Sequence, residues 1–209
     1  TNSPTPVQVS GLSGVVAIAA GNQRSLALKG DGTVWAWGTN WSGGLGDGTT
    51  TNRSTPVQVS GLTGVVAVAA GDLHSLALRN DGTVWVWGLI PSPSAPQPMP
   101  RLTPVQVTRL TGVRAIAAGS YHSLAVKDDG TVWEWGDTTA IDPDTPVQVA
   151  GLAGAVRVVA GQNHGLALKA DGTISAWGNN DYGQLGDGTT GYRSTRIQVN
   201  GLGGVATAA

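Results

Sequence analysis

Residues 61–88 read GLTGVVAVAAGDLHSLALRNDGTVWVWG, and close copies of this stretch occur three more times in the chain. Residues 11–38 read GLSGVVAIAAGNQRSLALKGDGTVWAWG, residues 109–136 read RLTGVRAIAAGSYHSLAVKDDGTVWEWG, and residues 151–178 read GLAGAVRVVAGQNHGLALKADGTISAWG. The four copies align without a gap, and their starts lie 50, 48 and 42 residues apart. This regularity predicts a single repeat domain over residues 1–209, with a trailing partial repeat at 201–209.

Each copy contains four short strand candidates separated by turn signals. In the first copy they read VVAIAAG, SLALK, TVWAWG and PVQV, and we call them strands A, B, C and D. An Asp-Gly pair joins B to C in every copy, where glycine can adopt the positive φ of a tight hairpin. These pairs are Asp31-Gly32, Asp81-Gly82, Asp129-Gly130 and Asp171-Gly172. We interpret the aspartates as turn formers; calcium binding is the alternative, but one carboxylate per repeat lacks the clustered oxygen ligands of such a site.

The alternation of side-chain size along the strands predicts how the sheets stack. In strand C the larger side chains share one face and the smaller ones the other, namely Thr33, Trp35 and Trp37 against Val34, Ala36 and Gly38. Strand B alternates in the same way, with Leu26 and Leu28 opposed to Ser25, Ala27 and Lys29. We therefore expect each sheet to lay a large face on its neighbour's small face. The predicted fold is all-β, a β-propeller of four-stranded blades with four complete blades in this chain; a linear β-solenoid is the alternative.

Composition excludes several classes of partner and cofactor. The 209 residues carry 12 Lys and Arg against 13 Asp and Glu, a net charge of −1, which argues against nucleic acid or an anionic membrane as the partner. No apolar run is long enough to span a membrane. The absence of cysteine excludes disulfides, thiolate chemistry and cysteine metal sites. We expect a secreted or cell-surface protein, but the two Asn-x-Ser sequons, at Asn40 and Asn52, are too common a pattern to place the protein outside a cell.

The unit AAGxxHSLALxxDGTVWxWG, followed in the fourth copy by NNDYGQLGDGTT, resembles the repeat of the regulator of chromosome condensation family. The resemblance implies a propeller of about fifty residues per blade, typically with seven blades, used as a platform for protein partners. It does not settle the activity. Eukaryotic relatives exchange nucleotide on a small GTPase and dock on chromatin, whereas a bacterial relative inhibits β-lactamase, and neither activity resides in the shared repeat core.

The connections between strands C and D depart from this pattern. The NxxGQLGxG segment is intact at 180–188 and blurred at 40–48, and other sequences replace it at 89–102 and 137–144. The first replacement is proline-rich and is predicted to be an extended surface loop, acting either in recognition or as a spacer. The second contains Asp142 and Asp144, which we interpret as solvated rather than as a catalytic carboxylate pair.

The chain also carries a leading D strand candidate at Thr5–Val9 and a trailing A strand candidate at Val205–Ala209. Paired within one chain, they would give a blade without strands B and C. We therefore expect either a portion of a longer propeller or a ring completed by another copy of this chain. A closed monomer of four blades is the competing arrangement.

Candidate catalytic and metal-binding residues recur at one phase of the repeat, and their recurrence favours a structural role. His74, His122 and His164, with Arg24 in the equivalent place, precede strand B and are predicted to fasten the A–B turn by a hydrogen bond. The serines that follow them, Ser25, Ser75 and Ser123, point to the opposite face of the strand, so no nucleophile–base pair forms within one strand. We accordingly predict no catalytic residue, no metal site and no cofactor.

Variable residues on the A–B turns and C–D connections are the candidates for recognition, because alternating strand direction brings both to one face of the ring. The predicted partner-binding residues are Gln23, Arg24, Trp41, Leu73, Tyr121, Asn163, Asp181, Tyr182 and Tyr192. Exposed Trp and Tyr are favoured anchors of protein interfaces. The sequence therefore favours a non-enzymatic module that binds a protein partner. A secreted enzyme with a site at the central opening, and a purely structural scaffold of a larger surface protein, are the alternatives.

Overall fold

The computed structural model describes residues 5–90, 99–136, 145–199, 201–202 and 204–206. Within these residues the chain forms four antiparallel four-stranded sheets, called blades 1 to 4, and contains no helix long and apolar enough to cross a membrane. Blade 1 comprises β1 (Val15–Ala20), β2 (Arg24–Lys29), β3 (Val34–Gly38) and β4 (Arg53–Gln58). Blade 2 comprises β5 (Val65–Ala70), β6 (His74–Arg79), β7 (Val84–Gly88) and β8 (Arg101–Gln106). Blade 3 comprises β9 (Val113–Ala118), β10 (His122–Lys127), β11 (Val132–Gly136) and β12 (Val147–Gln148). Blade 4 comprises β13 (Ala155–Ala160), β14 (His164–Lys169), β15 (Ile174–Gly178) and β16 (Arg193–Gln198).

Strand order within each blade follows chain order, as predicted for a propeller. The A strands of successive blades lie next to one another, and backbone hydrogen bonds join the turns that follow them, from Asp72 N to Ser120 O (3.3 Å) and from Ser120 N to Gln162 O (3.1 Å). The A strands are therefore innermost, and the D strands form the outer edges. The all-β propeller prediction is confirmed.

Four expectations about individual segments need correction or lie outside the described residues. Residues 5–9 are exposed and form no strand, because no preceding strand C pairs with them in the described part of the chain. Val205 is not in a strand either, but its N–H donates to Gly172 O at 3.4 Å, the same bond that Val65 makes to Gly32 at 3.1 Å. Residues 91–98, 137–144 and 207–209 lie outside the described residues, and with them most of the proline-rich loop, the Asp142/Asp144 pair and the rest of the trailing strand.

The expected division of each sheet into one large and one small face is wrong. Cross-strand pairing in blade 1 sets Leu26 opposite Ala36 and Leu28 opposite Val34, and it sets Ser25 and Ala27 opposite the two tryptophans of β3. Antiparallel partners share a face, so large residues of strand B lie beside small ones of strand C on one face, and small residues of strand B lie beside the tryptophans of strand C on the other. Each face of a blade therefore carries both large and small side chains.

The cores lie between blades. Leu26, Leu28 and Val34 of blade 1 are buried against Val65 and Trp87 of blade 2, together with Ala77. Equivalent clusters join blade 2 to blade 3 and blade 3 to blade 4. Full burial of such a side chain stabilises the fold by roughly 1.5–3 kcal/mol. Most of the stability of a blade therefore depends on its neighbours.

The Asp-Gly hairpins confirm the predicted turn role of the aspartates. Oδ1 of Asp31 accepts hydrogen bonds from the backbone N–H (3.0 Å) and the hydroxyl (2.6 Å) of Thr33, and the other three hairpins repeat both bonds. These bonds lower the pKa of the Asp31 carboxyl. Gly32 has φ +78°, and a Cβ there would lie 3.1 Å from Gly64 N in the next blade. Each hairpin therefore closes its own blade and also contacts the next one.

Candidate functional site

The A–B turns and the C–D connections lie on one face of the blades, called here the loop face. Backbone hydrogen bonds join the first residue of a C–D connection to an A–B turn, from Thr39 N to Gln23 O (2.9 Å), from Leu89 N to Leu73 O (3.0 Å) and from Asn179 N to Asn163 O (2.8 Å). The Asp-Gly hairpins lie at the other ends of the strands. The predicted gathering of these turns on one face is confirmed.

The loop face carries the exposed aromatic residues of the chain. Trp41 is 57% exposed and Tyr182 is 92% exposed, both on C–D connections. Tyr192 is 60% exposed where a C–D connection meets β16, and Tyr121 is 37% exposed on an A–B turn. The chain has three tyrosines and eight tryptophans, and every other tryptophan is buried or half-buried. The aromatic side chains that remain exposed are therefore concentrated on this face.

Two of the C–D connections are held rigid by a buried asparagine. The amide of Asn40, which is 0% exposed, donates to Asp47 Oδ1 (3.1 Å) and Thr49 O (2.9 Å), and its Oδ1 accepts from Leu45 N (2.9 Å). Asn180 makes the same contacts in blade 4. From sequence, Asn40 was noted only as a sequon and neither asparagine was predicted to hold a loop, although Asn opens the NxxGQLGxG pattern. Because the Asn40 amide is buried and engaged, this sequon offers no accessible glycosylation site in the folded protein.

Gln23, Arg24, Trp41 and Leu73 surround a cavity of about 160 Å³ between blades 1 and 2, called the blade 1–2 cavity. Arg24 is only 5% exposed, and its guanidinium crosses to blade 2, where it donates to Asp72 O (2.7 Å), Gly71 O (2.9 Å), His74 O and Ser75 Oγ (3.1 Å). Burial lowers the pKa of Arg24 to about 10, which leaves it charged at neutral pH. Arg24 therefore connects two blades and contributes little exposed surface.

The histidines at this repeat phase act between blades as well. His74 Nε2 lies 2.9 Å from Ser123 Oγ of blade 3, so this hydrogen bond fastens the next blade. The prediction that it fastens the A–B turn is wrong. His74 is 0% exposed and Ser123 is 1% exposed, and burial lowers the pKa of His74 to about 3. A neutral imidazole sealed from solvent with its serine has no access to a substrate. The pair therefore has a structural role.

Tyr121, Asn163 and Tyr192 line a larger cavity of about 570 Å³ between blades 3 and 4, called the blade 3–4 cavity. Its lining also includes His122 and Glu134. Asp181 and Tyr182 line neither cavity and project from the C–D connection of blade 4. The structure thus divides the nine predicted residues into three groups along the loop face.

The blade 3–4 cavity contains Glu134, which was not predicted as a site residue, and His122, which was predicted to fasten the A–B turn. Glu134 accepts a hydrogen bond from Trp177 Nε1 at 2.9 Å, and burial raises the pKa of its carboxyl. His122 is 5% exposed, burial lowers its pKa to about 4, and its Nε2 has no hydrogen-bond partner. His122 Nε2 lacks a partner because the facing position of blade 4 is Gly165, where the other copies have serine. Glu134 and Gly165 were both visible as departures when the four copies were aligned.

The central opening was the expected place for an active site in the enzyme alternative. A cavity of about 360 Å³ there is lined by the Ala-Gly ends of the four A strands and by Asn22, Asp72, Ser120 and Gln162. Asp72 is the one ionisable side chain in this lining. Across the described ranges, no three His, Asp or Glu side chains come close enough to hold a metal ion.

Two family models for the "Regulator of chromosome condensation (RCC1) repeat" match the sequence, one over residues 31–78 and the other over 15–43, 113–139 and 155–184. Together the matches cover more than half of the chain and fall on all four copies. This chain belongs to the regulator of chromosome condensation repeat family. The resemblance that the repeat unit carried is therefore confirmed. No curated protein sequence matches the chain significantly.

Solved structures of RCC1-type propellers share this fold. Human WBSCR16 superposes with a TM-score of 0.78 at 25% identity over 88% of this chain and 52% of that protein. Prp20p from Saccharomyces cerevisiae superposes with a TM-score of 0.74 at 27% identity over 88% of this chain and 50% of that protein. Yeast RCC1 (Prp20) bound to Kap60 gives 0.74 at 26% identity over 88% and 48%. The chain therefore spans about half the length of these proteins.

Proposed function

We propose that this chain is a non-enzymatic, protein-binding part of an RCC1-type propeller, and that the loop face is its binding surface. The observation that carries the proposal is the concentration of exposed Trp41, Tyr121, Tyr182 and Tyr192 on this face. Aromatic side chains bury a large area with little loss of rotamer freedom, which makes them favoured interface anchors. The buried Asn40 and Asn180 hold two of these aromatics on ordered loops, which lowers the entropic cost of binding.

The similar structures indicate the class of partner to test first. The Prp20p structure was described with its binding properties to Gsp1p and histones, and yeast RCC1 was solved bound to Kap60. All three are proteins. Proteins of the Gsp1p type and histones are therefore the first candidate partners, and binding of this chain to them is part of the proposal.

The test is affinity capture from native extract and from purified candidates, followed by titration calorimetry on each captured protein. Trp41 and Tyr182 are exposed and outside the blade cores, so Trp41→Ala and Tyr182→Ala should fold normally. We expect at least one of them to weaken binding about tenfold, the loss of one interface anchor. Val105→Ser is the matched control, because Val105 is 46% exposed on the outer strand β8.

The outcome that contradicts the proposal is a partner whose affinity is unchanged in both aromatic variants and reduced in the Val105→Ser control. Such a result would assign recognition to the outer edge of the blades. If no protein is captured from the extract or from the purified candidates, the alternative of a purely structural scaffold remains.

We infer in addition that the open face of blade 1 is covered by blade 4 of a second copy. Ile18 is 78% exposed and Val15 is 39% exposed. Their equivalents in blades 2 and 3 are half-buried or buried, with Val65 and Val113 each 5% exposed, because a preceding blade packs on them. Blade 4 offers the facing surface at Leu166, which is half-buried, whereas the equivalent Leu26, Leu76 and Leu124 are 0% exposed under the next blade. Two copies of this chain together also have about the length of WBSCR16 or Prp20p, since one copy covers 52% and 50% of those proteins.

Light scattering on the native protein tests this inference. We expect a species of twice the 21.1 kDa chain mass that dissociates when Ile18 is changed to Asp. Val66→Asp is the control, since Val66 is 54% exposed and lies on the A strand of blade 2, away from the open face of blade 1. A compact monomer at all concentrations contradicts the inference.

A further inference from the structure

The blade 3–4 cavity differs from the other blade junctions by two substitutions on its facing walls. Glu134 stands where the other copies have Ala36, Val86 and Ala176, and Gly165 stands where they have serine. A Cβ on residue 165 would overlap the ring of Trp177, so glycine lets this ring move into the space of the missing serine. Trp177 Nε1 then donates to Glu134 Oε2 at 2.9 Å. The two substitutions therefore form one arrangement that places a carboxyl in the wall of the cavity.

Two polar groups of this cavity, the Glu134 carboxyl and the His122 imidazole, are incompletely paired. Glu134 is half-buried, and the indole N–H of Trp177 is its one hydrogen-bond donor among the described residues. His122 lines the same cavity, is 95% buried, and leaves Nε2 without a partner. The cation in the lining, Arg193, is engaged through Nε (3.0 Å) and Nη2 (2.8 Å) with Asp187. A desolvated carboxyl with one neutral donor gains most from an incoming cation.

The junction of blades 1 and 2 shows which cation the fold accommodates at the repeat position of His122. There Arg24 stands in the place of His122, and its guanidinium lies across the next blade on the carbonyl oxygens of Gly71, Asp72 and His74. In blade 3 the arginine is replaced by a neutral histidine, and the cavity grows from about 160 to about 570 Å³. One junction therefore contains its own guanidinium, while the other has room for one and a carboxylate to receive it.

We propose that the blade 3–4 cavity binds the side chain of an arginine from the protein partner, with Glu134 as its anionic contact and Tyr121 and Tyr192 as its aromatic walls. A planar guanidinium can pair with a carboxylate through two hydrogen bonds and stack on aromatic rings, which an ammonium group does less well. The inference rests on the proposed protein-binding function, because it names the residue type that the loop face recognises. It can be tested without the partner.

The probe is N-acetyl-arginine amide, and the readout is the ¹H–¹⁵N resonance of the Trp177 indole, assigned with Trp177→Phe. Because this N–H donates to Glu134, we expect a saturable shift when the guanidinium binds. N-acetyl-citrulline amide, a neutral isostere of the probe, should give no saturable shift. Glu134→Gln keeps an acceptor for Trp177 and should weaken probe binding about tenfold or more.

Asp128→Asn is the matched control, since it removes one negative charge from blade 3 and gives the residue that blade 2 has at the equivalent Asn80. Probe affinity should be unchanged in this variant. Equal binding of the citrulline probe, or of the arginine probe to Glu134→Gln, overturns the site, as does a lack of any saturable shift at millimolar probe. If Trp41→Ala or Tyr182→Ala loses partner binding but the arginine probe does not bind, the proposed function stands and this site is rejected. If the probe binds but neither aromatic variant loses partner binding, the proposed function is rejected and the site stands.

Discussion

At the scale of single residues, one position of the repeat shows how a small change alters a blade junction. Arg24, His74 and His122 occupy the same phase, yet the first reaches three backbone carbonyls, the second reaches Ser123, and the third has an unpaired Nε2. The difference lies in the next blade, which offers serine to the first two and Gly165 to the third. The role of each residue is therefore set by its neighbour across the junction.

The His74–Ser123 hydrogen bond is expected to stabilise the junction of blades 2 and 3. Ser123→Ala leaves a buried imidazole nitrogen unpaired and should lower the free energy of unfolding by about 1–3 kcal/mol, measured by urea denaturation. Ser25→Ala is the control, because Ser25 occupies the same repeat phase but its hydroxyl makes none of the inter-blade hydrogen bonds that Ser75 and Ser123 make. Equal losses in both variants would show that the inter-blade bond contributes nothing.

Buried histidines make the stability of the protein depend on pH. Burial lowers the pKa of His74 to about 3 and of His122 to about 4, whereas the unfolded chain takes up these protons near pH 6.5. The unfolded state thus binds more protons below that pH, and stability should fall as pH drops from 6.5 toward 4, by up to about 1.4 kcal/mol per pH unit for each histidine. His74→Gln should reduce this slope in urea denaturation series. An unchanged slope contradicts the assignment to His74.

At the scale of elements, the Asp-Gly hairpin links two levels of structure. The same glycine provides the positive φ of the turn and the close approach to the next blade, where a Cβ at Gly82 would lie 3.2 Å from Gly112 N. The turn chemistry is local, whereas the close approach depends on how blades stack. A substitution at this glycine therefore affects both a hairpin and a blade junction.

Gly82→Ala and Gly188→Ala separate these two effects. Both glycines have positive φ, +75° and +77°, so alanine is strained at each by about 1–2 kcal/mol. Nothing lies within 4 Å of a Cβ at Gly188, whereas backbone atoms of blade 3 crowd a Cβ at Gly82. We expect Gly82→Ala to lower the thermal midpoint more than Gly188→Ala does. Equal shifts would mean that the hairpins do not constrain the junctions.

At the scale of the whole molecule, the blades form a linear series in which each depends on its neighbours. Blades 2 and 3 are covered on both faces, whereas Val15 and Ile18 of blade 1 are exposed. Stability in such arrays is a sum of repeat and junction contributions. The inner blades should therefore open least often.

Hydrogen exchange can check this order. We expect amides of β6 and β10 to exchange more slowly than those of β1 at low protein concentration, because local opening follows burial and contact. Protection of β1 should rise with concentration if a second copy covers blade 1. Protection that is uniform at every concentration would show that blade 1 is not an open face.

Much of the fold and part of the site were predictable from sequence. The hairpins, the four strands per blade and the gathering of Tyr121 and Trp41 on one face all follow from turn residues and strand direction. The uniform large face was predicted wrongly, because alternation within β3 does not reveal that antiparallel register sets Leu26 opposite Ala36. Glu134 was missed because a departure from the repeat gains meaning only beside Trp177 of the next blade.

The sequence by itself determined the repeat, its strands and its turns, since these depend on interactions between residues close along the chain. Only the tertiary structure decided which side chains meet across blades, that Arg24 serves as a link, and that Glu134 lines a cavity. Residues that face each other across a junction lie about one repeat apart in sequence. Their contact depends on register and blade stacking, which no local pattern encodes.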